Sequence, residues 1–416
     1  MRQTTLIRPE YTERFRCVGP ACEDSCCEGW TVPIDRDSYE KYQTIPAGPL
    51  RTLLDANILC NQPGQSTSNA AQEPFAIVKM APDGHCPMLS ADHLCQIQVA
   101  HGEGYLSRTC SIYPRGPRVI DQLKEASLAL SCPEAARLVL LDAQLLRTAG
   151  NGFYHMSWDD AGKGESNLRH YFWPIRDFTI ALVRNRAYPL WQRLFLLGTF
   201  CRRLDAIAGE QDGRGFPAFF REFSSAISSG ALRKSMETIP SDLNLQLTLV
   251  LHLLKMRVEN ATLAPRLTET LKDFTLGIGL SAQSSMESHI AHYAEAQKRY
   301  FAPFFQKNPH ILENYVVNAL FRDLFPFGPK LFDPSARVEA ATAFAALATK
   351  FAIVKGLLIG VAGCYKDAFS ADQVVKTVQP VFKHFEHNQG FLDRSHQFLV
   401  TANLDNAHGL TMLLRN

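Results

Sequence analysis

The stretch "ARVEAATAFAALATKFAIVKGLLIGVAGC", residues 336–364, is Ala-rich and has the pattern of one long helix. Its apolar part, residues 351–365, is shorter than the roughly 20 residues that span a bilayer, and it carries Lys355. We therefore predict no membrane span here. Within this part, "GLLIGVAG" (356–363) places small residues at four- and three-residue spacing. That spacing favours close helix packing over a nucleotide-binding loop.

Helical periodicity continues on both sides of this stretch, and no regular βαβ alternation accompanies it. The predicted fold class is therefore mainly α, with a Cys-rich N-terminal region, stabilised by a metal cluster, packed on a larger all-helical region. Any sheet is expected within the Cys-rich region. The predicted helices cover residues 134–148, 188–209, 243–260, 286–305, 311–327, 371–387 and 402–416.

The composition is that of an ordinary globular protein, with 46% hydrophobic and 20% charged residues. A formal net charge of +2, without a long basic run, gives no support for nucleic-acid binding. The N-terminal "MRQTTLIRPEYTERF" lacks the apolar core of a secretory signal. We expect a cytoplasmic protein without a nucleic-acid or membrane partner.

The cysteines are concentrated near the N-terminus, four of them in "CVGPACEDSCC" (17–27). Nine of the eleven fall within the first 132 residues, while Cys201 and Cys364 lie in apolar helical sequence and are predicted to be core residues. We divide the chain into a Cys-rich metal-binding region, residues 1–150, and a helical region, residues 151–416, predicted to bind substrate or cofactor. Two polar segments, 61–74 and 149–166, are predicted to be a surface loop and the boundary.

Because cytosolic thiols stay reduced, a cysteine cluster there indicates metal or redox chemistry more than disulfides. Zinc usually takes paired CxxC ligands, and this chain has none. An iron–sulfur cluster takes four thiolates on a larger body and tolerates irregular spacing. Radical enzymes that use S-adenosylmethionine (SAM) carry CxxxCxxC. Here Gly29 stands where the third cysteine belongs, so radical chemistry does not follow.

The pattern "FRCVGPACEDSCCEGWTVPIDRDSYEKY", then "CPML", "CQIQ", "GEGYLSRTCSIYPR" and "ENYVVNALFRDLFPF", resembles the flagellin lysine-N-methylase family. The Cys-rich part is also similar to zinc- or iron-chelating cluster domains, which share the CC pair and the C-P-x-L step. The family resemblance implies a bacterial enzyme that transfers methyl groups from SAM to lysine side chains of flagellin. It also implies an iron–sulfur cluster, plausibly [4Fe–4S].

Carried over by motif, the resemblance implies more thiol ligands than one cluster needs. Adjacent Cys26 and Cys27 point in different directions in most backbone conformations, so one of them is expected to bind a given cluster. Cys132 is a reserve candidate, and Cys60 is not expected to be a ligand. The candidates are Cys17, Cys22, Cys26, Cys27, Cys86, Cys95 and Cys110.

Methyl transfer needs a neutral amine aligned with the sulfonium methyl group. No strand–loop–helix unit offers the usual SAM site, so the SAM pocket and the catalytic residues stay unassigned. In "ENYVVNALFRD" (313–323), Asn314, Asn318 and Arg322 form a polar stripe. The stripe could line a pocket, but a solvated face or a buried polar network is favoured. Four histidines (384, 387, 396 and 408) are expected at the surface.

Three functional hypotheses follow. The first is an iron–sulfur protein that N-methylates lysines of flagellin with SAM. The second is a metal-chelating or electron-transfer protein without methyltransferase activity. The third is a zinc-stabilised interaction module.

Overall fold

The computed structural model describes most of the chain and is mainly helical, which confirms the mainly α part of the predicted fold class. A metal cluster that stabilises the Cys-rich region stays a prediction. The predicted surface loop, residues 61–74, lies outside the described residues except for its two end residues. The predicted boundary, residues 149–166, lies entirely outside them. The described ranges are 6–7, 9–61, 74–145, 168–210, 215–259, 263–333, 335–386 and 389–415.

Two small three-stranded sheets lie in the N-terminal part, as predicted. In the first, β1 runs parallel to β6, and β5 pairs with β6 as an antiparallel hairpin closed by Asp121 and Gln122, both at positive φ. The second has the antiparallel order β2-β4-β3. The strands are β1 Leu6–Ile7, β2 Pro33–Ile34, β3 Ile58–Cys60, β4 Ala76–Val78, β5 Arg115–Ile120 and β6 Leu123–Leu128.

Short helices surround these sheets, and several begin at a residue whose side chain caps the first turn. Asp35 accepts a hydrogen bond from the Ser38 amide and so starts α2, and Ser107 accepts one from the Cys110 amide and starts α5. These helices are α1 Glu10–Arg14, α2 Arg36–Gln43, α3 Pro49–Asn57, α4 Gln96–His101, α5 Arg108–Ile112 and α6 Pro133–Leu140.

The remainder of the described chain is built from helices. Two π-helical segments, Gln297–Phe301 and Phe382–Glu386, interrupt regular helix. The α-helices are α7 Phe172–Arg184, α8 Leu190–Glu210, α9 Phe216–Ser228, α10 Arg233–Glu237, α11 Leu243–Val258, α12 Pro265–Gly277, α13 Met286–Ala296, α14 Ala302–Lys307, α15 His310–Arg322, α16 Ala340–Tyr365, α17 Ala371–Val381, α18 Gln389–Thr401 and α19 Ala407–Leu414.

Several helix boundaries differ from the sequence-based expectations, and three of them show the same cause. Helix α6 ends at Leu140 instead of continuing to residue 148. Residues 146–148 of that predicted helix lie outside the described part. Helix α15 ends at Arg322, before Pro326. The last helix begins at Ala407, where the Asn406 side chain accepts the Gly409 amide hydrogen bond. In each case a local turn ends or starts the helix where periodicity alone shows no break.

Helix α16 is the central helix of the larger core. The segment Ala340–Ala368 is long and apolar enough to cross a membrane by length and composition, but 89% of its most apolar window is buried inside the protein. A Cβ on Gly356 would lie 2.4 Å from Val250, and one on Gly360 would lie 2.3 Å from Phe274. The small residues therefore permit close packing against α11 and α12, as predicted.

The described residues form two hydrophobic cores. A small core lies under the second sheet and includes Ile34, Tyr42 and Met88. The large core takes in the first sheet, α6 and the helices that follow. Hence part of the Cys-rich region, including Cys132, packs with the large helical core, whereas the segments around Cys86 and Cys95 pack against the small one.

A buried ionic cluster joins the first sheet to the helical core. Glu125 on β6 is 1% exposed and binds Arg176 of α7 through two contacts of 2.8 and 3.2 Å. It also accepts a hydrogen bond from Arg118 on β5. Both guanidinium groups donate to the carbonyl of Phe321 in the last turn of α15. The two guanidinium groups thus donate hydrogen bonds to a helix-end carbonyl that has no partner within the helix. Their positive charge is also favourable next to the negative end of the helix dipole.

The polar stripe on α15 is a buried network, one of the two forms that sequence reasoning favoured. Asn314 donates to the carbonyls at the end of α6, the shortest contact being 2.7 Å to Asp142. Asn318 donates to Leu128 at 3.3 Å and accepts a hydrogen bond from Tyr11 at 3.3 Å. These amides connect α15 to α6 and the first sheet.

We predict that Glu125→Gln destabilises the fold by about 3–5 kcal/mol, because two buried guanidinium groups lose their anionic partner. Urea denaturation followed by circular dichroism measures this. The matched control is Glu295→Gln, which removes an exposed partner of Arg299 and should leave the midpoint unchanged. Equal midpoints for Glu125→Gln and wild type would contradict the proposed role of the cluster.

Lys355 gives a pH-dependent prediction. It is 2% exposed, and its Nζ donates to the carbonyls of Leu413 and Leu414 at 3.0 Å each. Burial lowers the pKa of Lys355 to about 7. Above pH 7 the unfolded chain therefore binds a proton that the folded chain lacks, so folding gains stability as the pH rises towards about 10.

The free energy of unfolding of wild type, relative to Lys355→Met, should therefore rise between pH 7 and 10 by at most about 1.4 kcal/mol per pH unit. It should be constant below pH 7. Denaturation series of both proteins across this range measure the difference. A difference that does not change with pH would show that Lys355 stays charged in the folded protein.

Candidate functional site

The seven predicted cysteines line one cavity of about 150 Å³ in the described structure. Cys60 is exposed at the end of β3 and is not part of the lining, in agreement with expectation. Cys201 is fully buried in the core, as predicted, whereas Cys364 is only partly buried. The cavity-lining cysteines are Cys17, Cys22, Cys26, Cys27, Cys86, Cys95 and Cys110.

Main-chain hydrogen bonds hold the cysteine segments against one another. The Cys86 amide donates to the Cys27 carbonyl at 2.6 Å, and the Gly29 amide donates to Gly84 at 3.1 Å. Gly29 has a φ of +81°, which favours glycine. This short antiparallel contact places the Cys26–Cys27 pair beside Cys86.

Two further cysteines enter the cavity at helix starts. Cys95 pairs with Leu89 and immediately precedes α4. Cys110 lies in the first turn of α5, where its amide donates to Ser107 at 3.2 Å. The same helix is fixed to α2 because the Arg108 amide donates to Asp35 at 2.8 Å. Four separate chain segments thus converge on one cavity.

The thiol pKa values reflect burial and mutual repulsion. Burial raises the pKa of Cys86 to about 12 and that of Cys110 to about 11, and it also raises the pKa of Cys95. Cys27 differs, because a hydrogen bond from Cys26 lowers its pKa to about 7. Thiolates here repel one another, so a bound cation would be needed to keep several of them deprotonated at neutral pH.

These pKa effects separate two groups of thiols. Each pair within Cys27, Cys86, Cys95 and Cys110 is close enough for one thiolate to raise the pKa of the other. A second group links Cys132 with Cys17 and Cys22. Cys26 interacts with members of both groups, through Cys27, Cys110 and Cys17.

Within the described residues, no three His, Cys, Asp or Glu side chains converge tightly enough to hold a single metal ion. This observation does not support the mononuclear zinc arrangement, in which four ligands meet at one atom. The thiolates of an iron–sulfur cluster bind different iron atoms, so they stand further apart. The cysteine cavity brings together seven thiols, the donor type that such a cluster uses.

A second, larger cavity of about 630 Å³ adjoins the cysteine cavity, and we call it the interface pocket. Trp30 and Tyr113 line both cavities, with their ring centroids 5.9 Å apart. Trp30 is fixed by a 2.7 Å hydrogen bond to the Cys26 carbonyl. The pocket lies between the Cys-rich and helical regions, and its lining includes Gly29, Trp30, Tyr113, Arg115, Ser127, Ser131, Arg257, Arg322, Lys383 and His384.

The interface pocket is cationic. Arg115, Arg257, Arg322 and Lys383 line it, and no Asp or Glu is among its described lining residues. Sequence reasoning missed this pocket because its residues come from segments as far apart as Gly29 and His384, with no common spacing.

His384 was expected at the surface, and the structure corrects this. It is partly buried in the interface pocket, and burial together with the neighbouring Lys383 and Arg257 lowers its pKa to about 4. It is therefore neutral at pH 7, and its Nε2 has no hydrogen-bond partner. His396 is also partly buried, while His387 and the side chain of His408 lie outside the described part.

One buried ion pair connects the first cysteine segment to the helical region. Lys383 binds Asp24 at 2.8 Å, and both side chains are less than 10% exposed. Gln379 of α17 donates to the same carboxylate at 2.5 Å and to the Ser131 carbonyl at 2.7 Å. The segment 17–27 is thereby held on the wall of the interface pocket.

A family sequence profile identifies the class of protein to which this chain belongs. Residues 176–413 match the sequence profile described as the FliB lysine N-methylase C-terminal domain, which is more than half of the chain. The N-terminal cysteine pattern precedes this matched part. The chain belongs to the FliB lysine N-methylase family, and the resemblance noted from the sequence is confirmed.

Similar proteins extend the comparison to the whole chain. A lysine-N-methylase of Salmonella typhimurium is 23% identical over 97% of both chains, and one of Salmonella choleraesuis is 22% identical over the same shares. The flagellar biosynthetic protein FliU of Salmonella muenchen is 29% identical over its full length, which covers 44% of this chain. No solved structure matches.

We predict that Asp24→Ala loosens the cysteine segment, because Lys383 is left buried without its anion. Peptides that contain Cys17, Cys22 and Cys26 should react with maleimide several times faster than in wild type, measured by mass spectrometry on metal-free protein. The control is Asp83→Ala, which removes an exposed partner of His85. Equal labelling rates in the two variants would contradict this role of Asp24.

Proposed function

We propose that this protein is a SAM-dependent methyltransferase that N-methylates lysine side chains of flagellin in the cytoplasm and contains an iron–sulfur cluster. The observation that carries the proposal is the family match over residues 176–413, together with full-length similarity to proteins named lysine-N-methylase. The name of the relative FliU supports a flagellar setting for the substrate.

The reaction is a nucleophilic displacement at carbon. The neutral ε-amine of a flagellin lysine attacks the methyl carbon of SAM, an N–C bond forms, and the C–S bond breaks to leave a neutral thioether. The nitrogen then gives up a proton. The enzyme contributes alignment of the amine with the methyl carbon.

The cysteine cavity fits an iron–sulfur cluster by its donor set. We propose Cys27, Cys86, Cys95 and Cys110 as the ligands, because all four thiols interact with one another and come from separate segments. When bound, a cluster would keep the thiolates deprotonated and crosslink these segments through iron–sulfur bonds. Cys17, Cys22 and Cys26 line the same cavity without belonging to this fully connected group.

We predict that protein purified without oxygen is brown and contains iron and sulfide in about equal amounts. Cys86→Ser and Cys95→Ser should each lose most of the iron, because each removes one of the four proposed thiolate ligands. Cys60→Ser is the matched control, since this exposed cysteine lies outside the cavity, and it should keep its iron.

Colourless protein with stoichiometric zinc would overturn the cluster proposal and favour the zinc-stabilised module. Purified flagellin with SAM tests the activity separately, with lysine methylation read by mass spectrometry. Iron-loaded protein that methylates no flagellin lysine would instead favour the metal-chelating or electron-transfer alternative.

A further inference from the structure

We propose that the interface pocket is the binding site of the methyl donor, and that Arg257 holds the carboxylate of its amino-acid end. The inference rests on the proposed function, which requires SAM but does not locate it. It assigns a ligand class to the pocket: a zwitterionic amino-acid end joined through sulfur to a flat heteroaromatic nucleoside.

The charge of the pocket argues for an anionic group in the ligand. Two of its four cations are already neutralised, because Lys383 pairs with Asp24 and Arg322 contacts Asp323 at 2.8 Å. Arg115 donates to the Phe15 carbonyl and lies over the Phe15 ring. Each of these three therefore has a defined partner apart from any ligand.

Arg257 differs from these three cations in its partners. Its Nε donates to the His384 carbonyl at 2.9 Å, and its guanidinium lies 5.7 Å from the Phe385 ring centroid. Among the described residues, no carboxylate lies within ion-pair distance of it. A guanidinium fixed at Nε keeps its two Nη groups available for a carboxylate, the geometry that Arg prefers.

His384 completes the recognition of an amino-acid end. It lines the pocket next to Arg257, it is neutral, and its Nε2 has no partner. In the tautomer that carries its proton on Nδ1, the Nε2 atom accepts a hydrogen bond from an ammonium group. A carboxylate donor site and an ammonium acceptor site thus stand side by side, which matches the two charges of an α-amino acid.

The remainder of the pocket suits the rest of the donor. Its surface is mostly apolar, and its volume of about 630 Å³ lies within the range of small-molecule sites. Trp30 and Tyr113 offer aromatic faces, which attract a sulfonium cation and stack on a heteroaromatic base. These rings also form the wall shared with the cysteine cavity.

Two ligands separate the amino-acid end from the nucleoside. S-adenosylhomocysteine carries the amino-acid end, and 5′-methylthioadenosine lacks it, while both keep the adenosine and the thioether. Binding of each to the full chain, purified without oxygen, is measured by isothermal titration calorimetry. Arg257→Gln keeps a side-chain donor for the His384 carbonyl and removes the charge. Arg299→Gln, at an exposed arginine, is the matched control.

We expect wild type and Arg299→Gln to bind S-adenosylhomocysteine at least tenfold more tightly than methylthioadenosine, since a charge-assisted pair distinguishes the two. In Arg257→Gln that ratio should fall to within about threefold, with methylthioadenosine affinity unchanged. Thermal unfolding of both variants verifies that they are folded.

Two results would overturn the assignment. Arg257→Gln could keep the wild-type ratio, or it could lose affinity for both ligands equally. In either case SAM still binds the wild-type protein, so the proposed function stands and only the location is wrong. Wild type that binds neither ligand would overturn the methyl donor of the proposed function, and the pocket assignment with it.

Discussion

The burial of Glu125 between Arg118 and Arg176 is the constraint on which the arrangement of both cavities depends. This cluster fixes the β5–β6 hairpin to the end of α15. The same hairpin supplies Arg115 and Ser127 to the interface pocket, and Tyr113 immediately precedes it. A buried carboxylate with two cations is costly to desolvate, so the structure tolerates little movement of the hairpin. The wall of the interface pocket that this hairpin forms is therefore held in place as well.

The sequence allowed two levels of prediction. Helical periodicity and the small residues of "GLLIGVAG" depend on local spacing, which the sequence shows directly, whereas the set of seven cysteines came from the family resemblance. The convergence of Arg257, Arg322 and His384 depends on how α11, α15 and the segment after α17 pack. No spacing rule connects residues more than sixty positions apart. His384 was misjudged for that reason, since its environment comes from Gly29 and Arg257.

The two adjoining cavities have opposite electrostatic character. One is lined by thiols whose pKa values are mostly raised by burial and by one another, and it would need positive charge to hold several thiolates. The other is lined by cations without a carboxylate among its described lining residues. Of the described lining residues, Trp30 and Tyr113 are the two common to both. This separation keeps a thiolate-bound group and an anionic ligand end on different sides of an aromatic partition.

That partition has a thermodynamic consequence. Trp30 is hydrogen-bonded to the Cys26 carbonyl, so the backbone that carries two thiols also positions one face of the neighbouring pocket. An occupant of one cavity that shifts this ring would therefore change the affinity of the other cavity for its own occupant. Linkage is reciprocal: whatever factor the first occupant applies to the affinity of the second, the second applies to the first. The indole, together with the Tyr113 ring, is thus the place at which an allosteric coupling free energy between the two sites would be set.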